Sequence, residues 1–171
     1  MSRYYGIAAC AGYIGTIFAA NWAIQRYGIV PVGFGWDAPA GVFAAGLAFT
    51  FRDLTHEWLG RSWVIVAILV GAALSWFVSP TFAAASATAF LLSEVADFAV
   101  YARLRARRWL GAVALSNSVG LTVDSAVFLW LAFGSLAFIP GQMLAKAYMT
   151  AGAVVALWFL RRRERVAAPA G

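Results

Sequence analysis

Charge is scarce in this chain. Asp, Glu, Lys and Arg make up only 12% of 171 residues, and lysine occurs once, as Lys146. Cysteine also occurs once, as Cys10, so no intrachain disulfide can form. The single histidine, His56, excludes the paired, metal-spaced histidines of a zinc enzyme. Neither a Gly-x-Ser-x-Gly elbow nor a P-loop Gly-Lys-Ser/Thr is present, so that route to ATP hydrolysis is closed. No enzymatic activity, metal or cofactor is expected.

Apolar residues fill the space that charge leaves. They make up 63% of the chain, and the mean hydropathy is +0.79. Soluble domains run about 45–50% apolar, and a water-soluble core cannot absorb the excess. The net charge of +6 could suggest nucleic acid. However, Arg103, Arg105, Arg107, Arg108 and the run Arg161, Arg162, Arg163, Arg165 sit beside apolar segments, as cytoplasmic membrane flanks do. The expected partner is therefore the lipid bilayer and not nucleic acid.

A bilayer core about 30 Å thick needs about 20 apolar residues per helix. This predicts helices over Tyr4–Gln25, Pro39–Leu59, Ser62–Ser79, Thr81–Leu104, Trp109–Gly134 and Pro140–Leu160. Tyr27 to Ala38, with Gly28, Pro31, Gly33 and Gly35, reads as a loop. Gly60, Pro80 and Pro140 mark further breaks. Phe18-Ala19-Ala20 resembles a signal cleavage site, but the apolar stretch is too long and carries Trp22 near its end.

With a cytoplasmic start, the inside receives Arg3, Arg61 and the basic runs, and the outside receives only Arg26. Trp22, Trp36 and Trp76 then fall near the outer surface, and Trp58, Trp63, Trp109 and Trp158 near the inner one. The expected fold is an all-α integral membrane protein. It is a single transmembrane domain over 1–171, a compact bundle of about six helices with both termini cytoplasmic. Its expected location is a bacterial inner or plasma membrane. Ala8, Ala11, Gly12, Gly15, Ala19 and Ala23 let the first helix pack closely on a neighbour, within the bundle or on a second membrane protein.

Ionisable residues inside the spans carry the functional reading. A charge at mid-membrane costs at least about 2.5–3.5 kcal/mol, so each needs a partner, a water-filled cavity or a ligand. Arg52, Asp53, His56 and Glu57 cluster near the inner end of the second helix. They form either a solvated helix end or part of a site. Glu94 and Asp97, three residues apart, face one side of the fourth helix. Glu94 is about 15 Å from that helix's end at 1.5 Å per residue. Phe90, Phe98 and Tyr101 flank the pair within a turn and could stack on a planar ligand. Asn117 and Asp124 share a face of the fifth helix, and Ser118 and Ser125 repeat the spacing. Asp124 and Lys146 could neutralise one another across the fifth and sixth helices, as a structural lock or as part of a solute site.

Several of these segments resemble the queuosine precursor transporter family, also called the VUT family. They are Arg108-Trp109-Leu110, Ser116-Asn117-Ser118-Val119-Gly120, Val123-Asp124-Ser125-Ala126-Val127-Phe128 and Leu131-Ala132-Phe133-Gly134. Asp53-Leu54-Thr55 with Glu57 and Gly60 resembles that family's acidic motif, and Lys146 sits where the family has a lysine in its last helix. The similarity runs from about Pro39 to Leu160, and the fifth-helix segment is its most specific part. It implies uptake of 7-deazaguanine bases that serve queuosine synthesis in tRNA. A carboxylate can accept the adjacent N–H and amine of such a base together. The expected substrate-binding residues are Asp53, Glu57, Phe90, Glu94, Asp97, Tyr101, Asn117, Asp124 and Lys146.

Two other readings stay open. One is the substrate-binding subunit of an ATPase-driven vitamin importer. The other is a membrane assembly protein that transports nothing. A homo-oligomer or a separate energising module would fit the first helix's small residues.

Overall fold

The apolar runs form six helices in the computed structural model, which describes residues 2–104 and 109–167. The helices are α1 (Ser2–Tyr27), α2 (Val42–Leu59), α3 (Arg61–Trp76), α4 (Pro80–Leu104), α5 (Trp109–Phe133) and α6 (Ile139–Ala167). Arg105, Arg107 and Arg108 lie outside the described residues, as do the side chains of Trp109, Trp158 and the Arg161–Arg165 run.

Five of the expected helices keep their ends to within about three residues. The sixth extends beyond Leu160 to Ala167. Gly60 separates α2 from α3 at φ 87°, a backbone state that other residues adopt only under strain, and its N–H caps the His56 carbonyl at 3.0 Å.

The segment read as a loop is instead an antiparallel hairpin of β1 (Ile29–Gly33) and β2 (Trp36–Pro39). Pro39, expected to open the second helix, ends β2, and α2 begins at Val42. The turn is Phe34-Gly35, both with positive φ (54° and 77°), which matches the right-handed twist of a two-residue hairpin. Prolines are tolerated because a two-stranded ribbon has only edges. The hairpin buries Val32 and Ala38 against Val42 and Ala145. On α6, Gly141 lies directly against the Asp37 carbonyl, leaving no room for a Cβ.

Helix packing follows the small residues. Among the described residues, α4 packs most extensively on α5, α1 on α2 and α3, and α2 on α6, whereas α5 and α6 touch little. Gly12 of α1 receives the Phe51 ring, Gly71 of α3 receives Ile17, and Gly46 of α2 lets α6 approach at Lys146 and Met149. Ala8, Ala11 and Gly15 of α1 face outward. So do Ile65, Val66, Leu69, Val70 and Leu74 of α3, and Trp22, Trp36, Trp58, Trp63 and Trp76.

Among the described residues, three helices are long and apolar enough to cross a membrane: Arg3–Tyr27, Pro80–Leu104 and Leu115–Phe133. α3 is apolar, but its 16 residues reach only about 24 Å against a core of about 30 Å. α2 has 18 residues and carries Arg52, Asp53 and Glu57.

Candidate functional site

The last two turns of α2, the second half of α4 and the first turns of α5 enclose a cavity of about 540 Å³. That falls within the 300–1,000 Å³ range of small-molecule sites. Four carboxyl groups line it, those of Asp53, Glu57, Glu94 and Asp97, with the Arg52 and Arg61 guanidiniums, His56 and Asn117. Phe98, Tyr101 and Ser116 complete the wall.

Arg52 organises this cavity from a buried position, 5% exposed. Its Nη2 donates to Asp53 Oδ1 at 2.7 Å and to Asn117 Oδ1 at 3.2 Å, and its Nε donates to the same Asp53 oxygen at 3.0 Å. Its Nη1 lies 2.8 Å from Glu94 Oε1. That last pair is close enough for charge to act, but neither atom has a hydrogen bond of good geometry. The charges attract at that distance, and the poor alignment leaves donor and acceptor capacity unused. One guanidinium thus ties α2 to α4 and α5.

Asp97 differs from Glu94. Its Oδ1 is buried and has no hydrogen-bond partner among the described residues. Its side chain packs beside Gly120 of α5, where a Cβ would come within 3.3 Å of Asp97 Cβ. A buried carboxylate oxygen without a donor is costly and calls for an explanation in function.

A second ionic centre lies deeper. Lys146 Nζ donates to Asp124 Oδ2 at 2.5 Å and to Ser125 Oγ at 2.7 Å. Both charged residues are buried, at 1% and 4% exposure. The lone lysine and the mid-helix aspartate therefore meet, as their expected depths allow. They do not line the cavity. Asp124 borders a separate narrow void of about 20 Å³ with Ser86, Phe90 and Gln142.

Of the nine expected binding residues, six share the cavity: Asp53, Glu57, Glu94, Asp97, Tyr101 and Asn117. Asp124 and Lys146 form their own pair, and Phe90 sits in the aromatic core. Phe90 lies one turn before Glu94, about 6 Å along the axis, which carries its ring past the cavity floor. Phe98 lines the wall and carries Arg61 4.4 Å over its ring. Sequence reasoning did not name Arg52 as a site residue. An arginine inside an apolar helix beside an aspartate was the available signal, but its link to Asn117 spans 65 positions.

Residues 75–160 match a family model described as putative vitamin uptake transporter. The match covers half of the chain and includes Glu94, Asp97, Asn117, Asp124 and Lys146, while the α2 cluster precedes it. No curated protein and no solved structure matches the chain.

Proposed function

Because the chain belongs to the vitamin uptake transporter family, we propose that it takes up a small, polar, planar solute, a queuosine precursor of the 7-deazaguanine type, across the cytoplasmic membrane. Membership and three apolar helices make it a membrane protein with a transport role. The solute reading rests on Asp97, which lines the cavity and has a buried oxygen with no hydrogen-bond partner among the described residues. Asp97 accepts the base's adjacent N–H and amine, and Glu94 and Asn117 take the remaining polar edge. Phe98 and Tyr101 cover its face.

The test uses a bacterium that can neither make nor import queuosine precursors. Expressing this chain and feeding a 7-deazaguanine base should restore queuosine in tRNA. Membrane-inserted protein with no queuosine from any base would overturn the solute assignment.

All six helices serve as spans in this reading, with both termini in the cytoplasm. α3 is short, and Trp63 and Trp76 near its ends hold a locally thinned bilayer. A reporter active only outside the cytoplasm should stay silent when fused at residues 105–108 or after Arg165. Strong activity from either fusion would reject this topology. Arg61 and Tyr101 then lie at the inner surface, so the cavity opens to the cytoplasm, and the hairpin covers the outer end.

A second reading, the binding subunit of an ATPase-driven importer, is favoured by one observation: Ala8, Ala11 and Gly15 face outward on α1. A stoichiometric ATPase partner on purification would select it over a lone carrier.

A further inference from the structure

Two spaces lie along the same helix stripes, one beyond the other. On α2, Val42 and Ala45 line the narrow void, and Arg52 and His56 line the large cavity. These positions share one helical face, and Phe49 stands between them on it. On α4, Ser86 and Phe90 border the void, and Glu94, Asp97 and Tyr101 border the cavity. On α5 the corresponding residues are Asp124 and Phe128 for the void and Asn117 for the cavity. From Ala45 to Arg52 is about 10 Å along the axis.

Aromatic rings fill that interval. Phe49 meets Phe90 edge-on at 6.1 Å, and Phe90 meets Tyr13 the same way at 6.1 Å. Ile17 and Leu121 pack against them. Both cations rest on Phe49, with Arg52 Cζ 5.1 Å and Lys146 Nζ 5.4 Å from its centroid. Tyr13 is fully buried, and its hydroxyl has no hydrogen-bond partner among the described residues. An orphan hydroxyl is unusual inside a packed cluster, and this cluster separates the polar cavity from a narrow, mostly apolar void that Ser86, Asp124 and Gln142 border.

We propose that Tyr13, Phe49 and Phe90 form a partition that a planar solute displaces, and that Ser86, Asp124 and Gln142 build a second solute subsite beyond it. This rests on the reading that the carboxylate cavity receives a solute. The second subsite suits a neutral, hydrogen-bonding ring. Lys146 answers the charge of Asp124, Gln142 offers an uncharged donor and acceptor, and the Ser86 hydroxyl, which donates to Asn21 Oδ1 and the Phe82 carbonyl, offers acceptor capacity. The void has room for one water-sized guest, so a ring enters only when Phe49 and Phe90 turn away. A solute that draws Arg52 toward itself removes one of the two cations from the Phe49 face and loosens the partition. The Tyr13 hydroxyl then meets the ring in transit.

Thiol chemistry tests the partition without any solute. In a Cys10→Ala background, Ser86→Cys places a lone thiol at the void. A small water-soluble ammonium methanethiosulfonate should react with it slowly, and Phe49→Ala should speed the reaction at least about tenfold. Phe49→Leu, a milder change, should give a smaller rise if the alanine variant folds poorly. Fast labelling with Phe49 in place, or no change with either variant, would overturn the partition. The subsite is tested by a split between binding and uptake. Gln142→Leu should leave binding of a 7-deazaguanine base to purified protein within about twofold and cut uptake at least about tenfold. An equal loss of both, or of neither, would overturn the subsite. If the parent protein binds no base, the solute reading fails, and the thiol result still decides the partition.

Discussion

Asp124→Asn and Lys146→Met should each sharply lower the yield of folded protein, and the double variant should recover much of it. Each single change leaves one buried charge without its counterion, at a cost of about 3–5 kcal/mol. Both partners are almost fully buried, and Lys146 gives a further hydrogen bond to Ser125. The pair also bridges α5 and α6, which otherwise touch little, so its loss should loosen that interface in particular. Monodisperse yield in detergent and the thermal midpoint measure the effect. A double variant as poor as the two singles combined would show that the residues do not depend on each other. Recovered folding with no uptake would give the pair a part in transport, and recovery of both would make it a lock between helices.

Asp97→Asn should abolish uptake while the protein stays in the membrane at normal abundance. Its buried Oδ1 has no hydrogen-bond partner among the described residues, so the change breaks no hydrogen bond at that atom. An amide nitrogen can only donate and would face the donors of the base. Losing a charged hydrogen bond of about 1.5–3 kcal/mol corresponds to roughly ten- to 150-fold weaker binding. Glu94→Gln should also stop uptake, and it carries an added folding cost because Arg52 loses its counterion on α4. Normal transport by both variants at normal expression would remove α4 from the solute site.

Much of this arrangement is written in local sequence. Long apolar runs ended by Gly60, Pro80 and Gly134 give the helices, because each break acts on its own neighbours. The spacing of Glu94 and Asp97 places both carboxylates on one wall, and the lone lysine leaves Asp124 few choices of partner. The hairpin was hidden for a local reason. Its turn is Phe34-Gly35, without the Asn-Gly or Asp-Gly that usually marks positive φ at both positions, and Pro31 reads as a breaker and Pro39 as a helix start. The central role of Arg52 was hidden for a non-local one. Its neighbours in sequence suggest a solvated helix end, and only the packing of α2 against α4 and α5 buries it between Glu94 and Asn117. Phe90 shows the limit of reasoning by proximity. It is one turn from Glu94, yet the cavity ends between them.

Four carboxyl groups and two guanidiniums share one cavity wall, and that imbalance sets a selection rule among vitamin-like molecules. Many such molecules carry a free acid group. An acid entering here would meet Asp53, Glu57, Glu94 and Asp97, while Arg52 is already engaged by two of those carboxylates. Like charges brought together out of water are penalised by several kcal/mol, whereas an uncharged donor-rich ring incurs no such penalty. The cavity therefore discriminates by repulsion as well as by fit. Anionic nutrients of similar size should compete poorly for entry, and neutral or cationic nitrogen heterocycles should compete well.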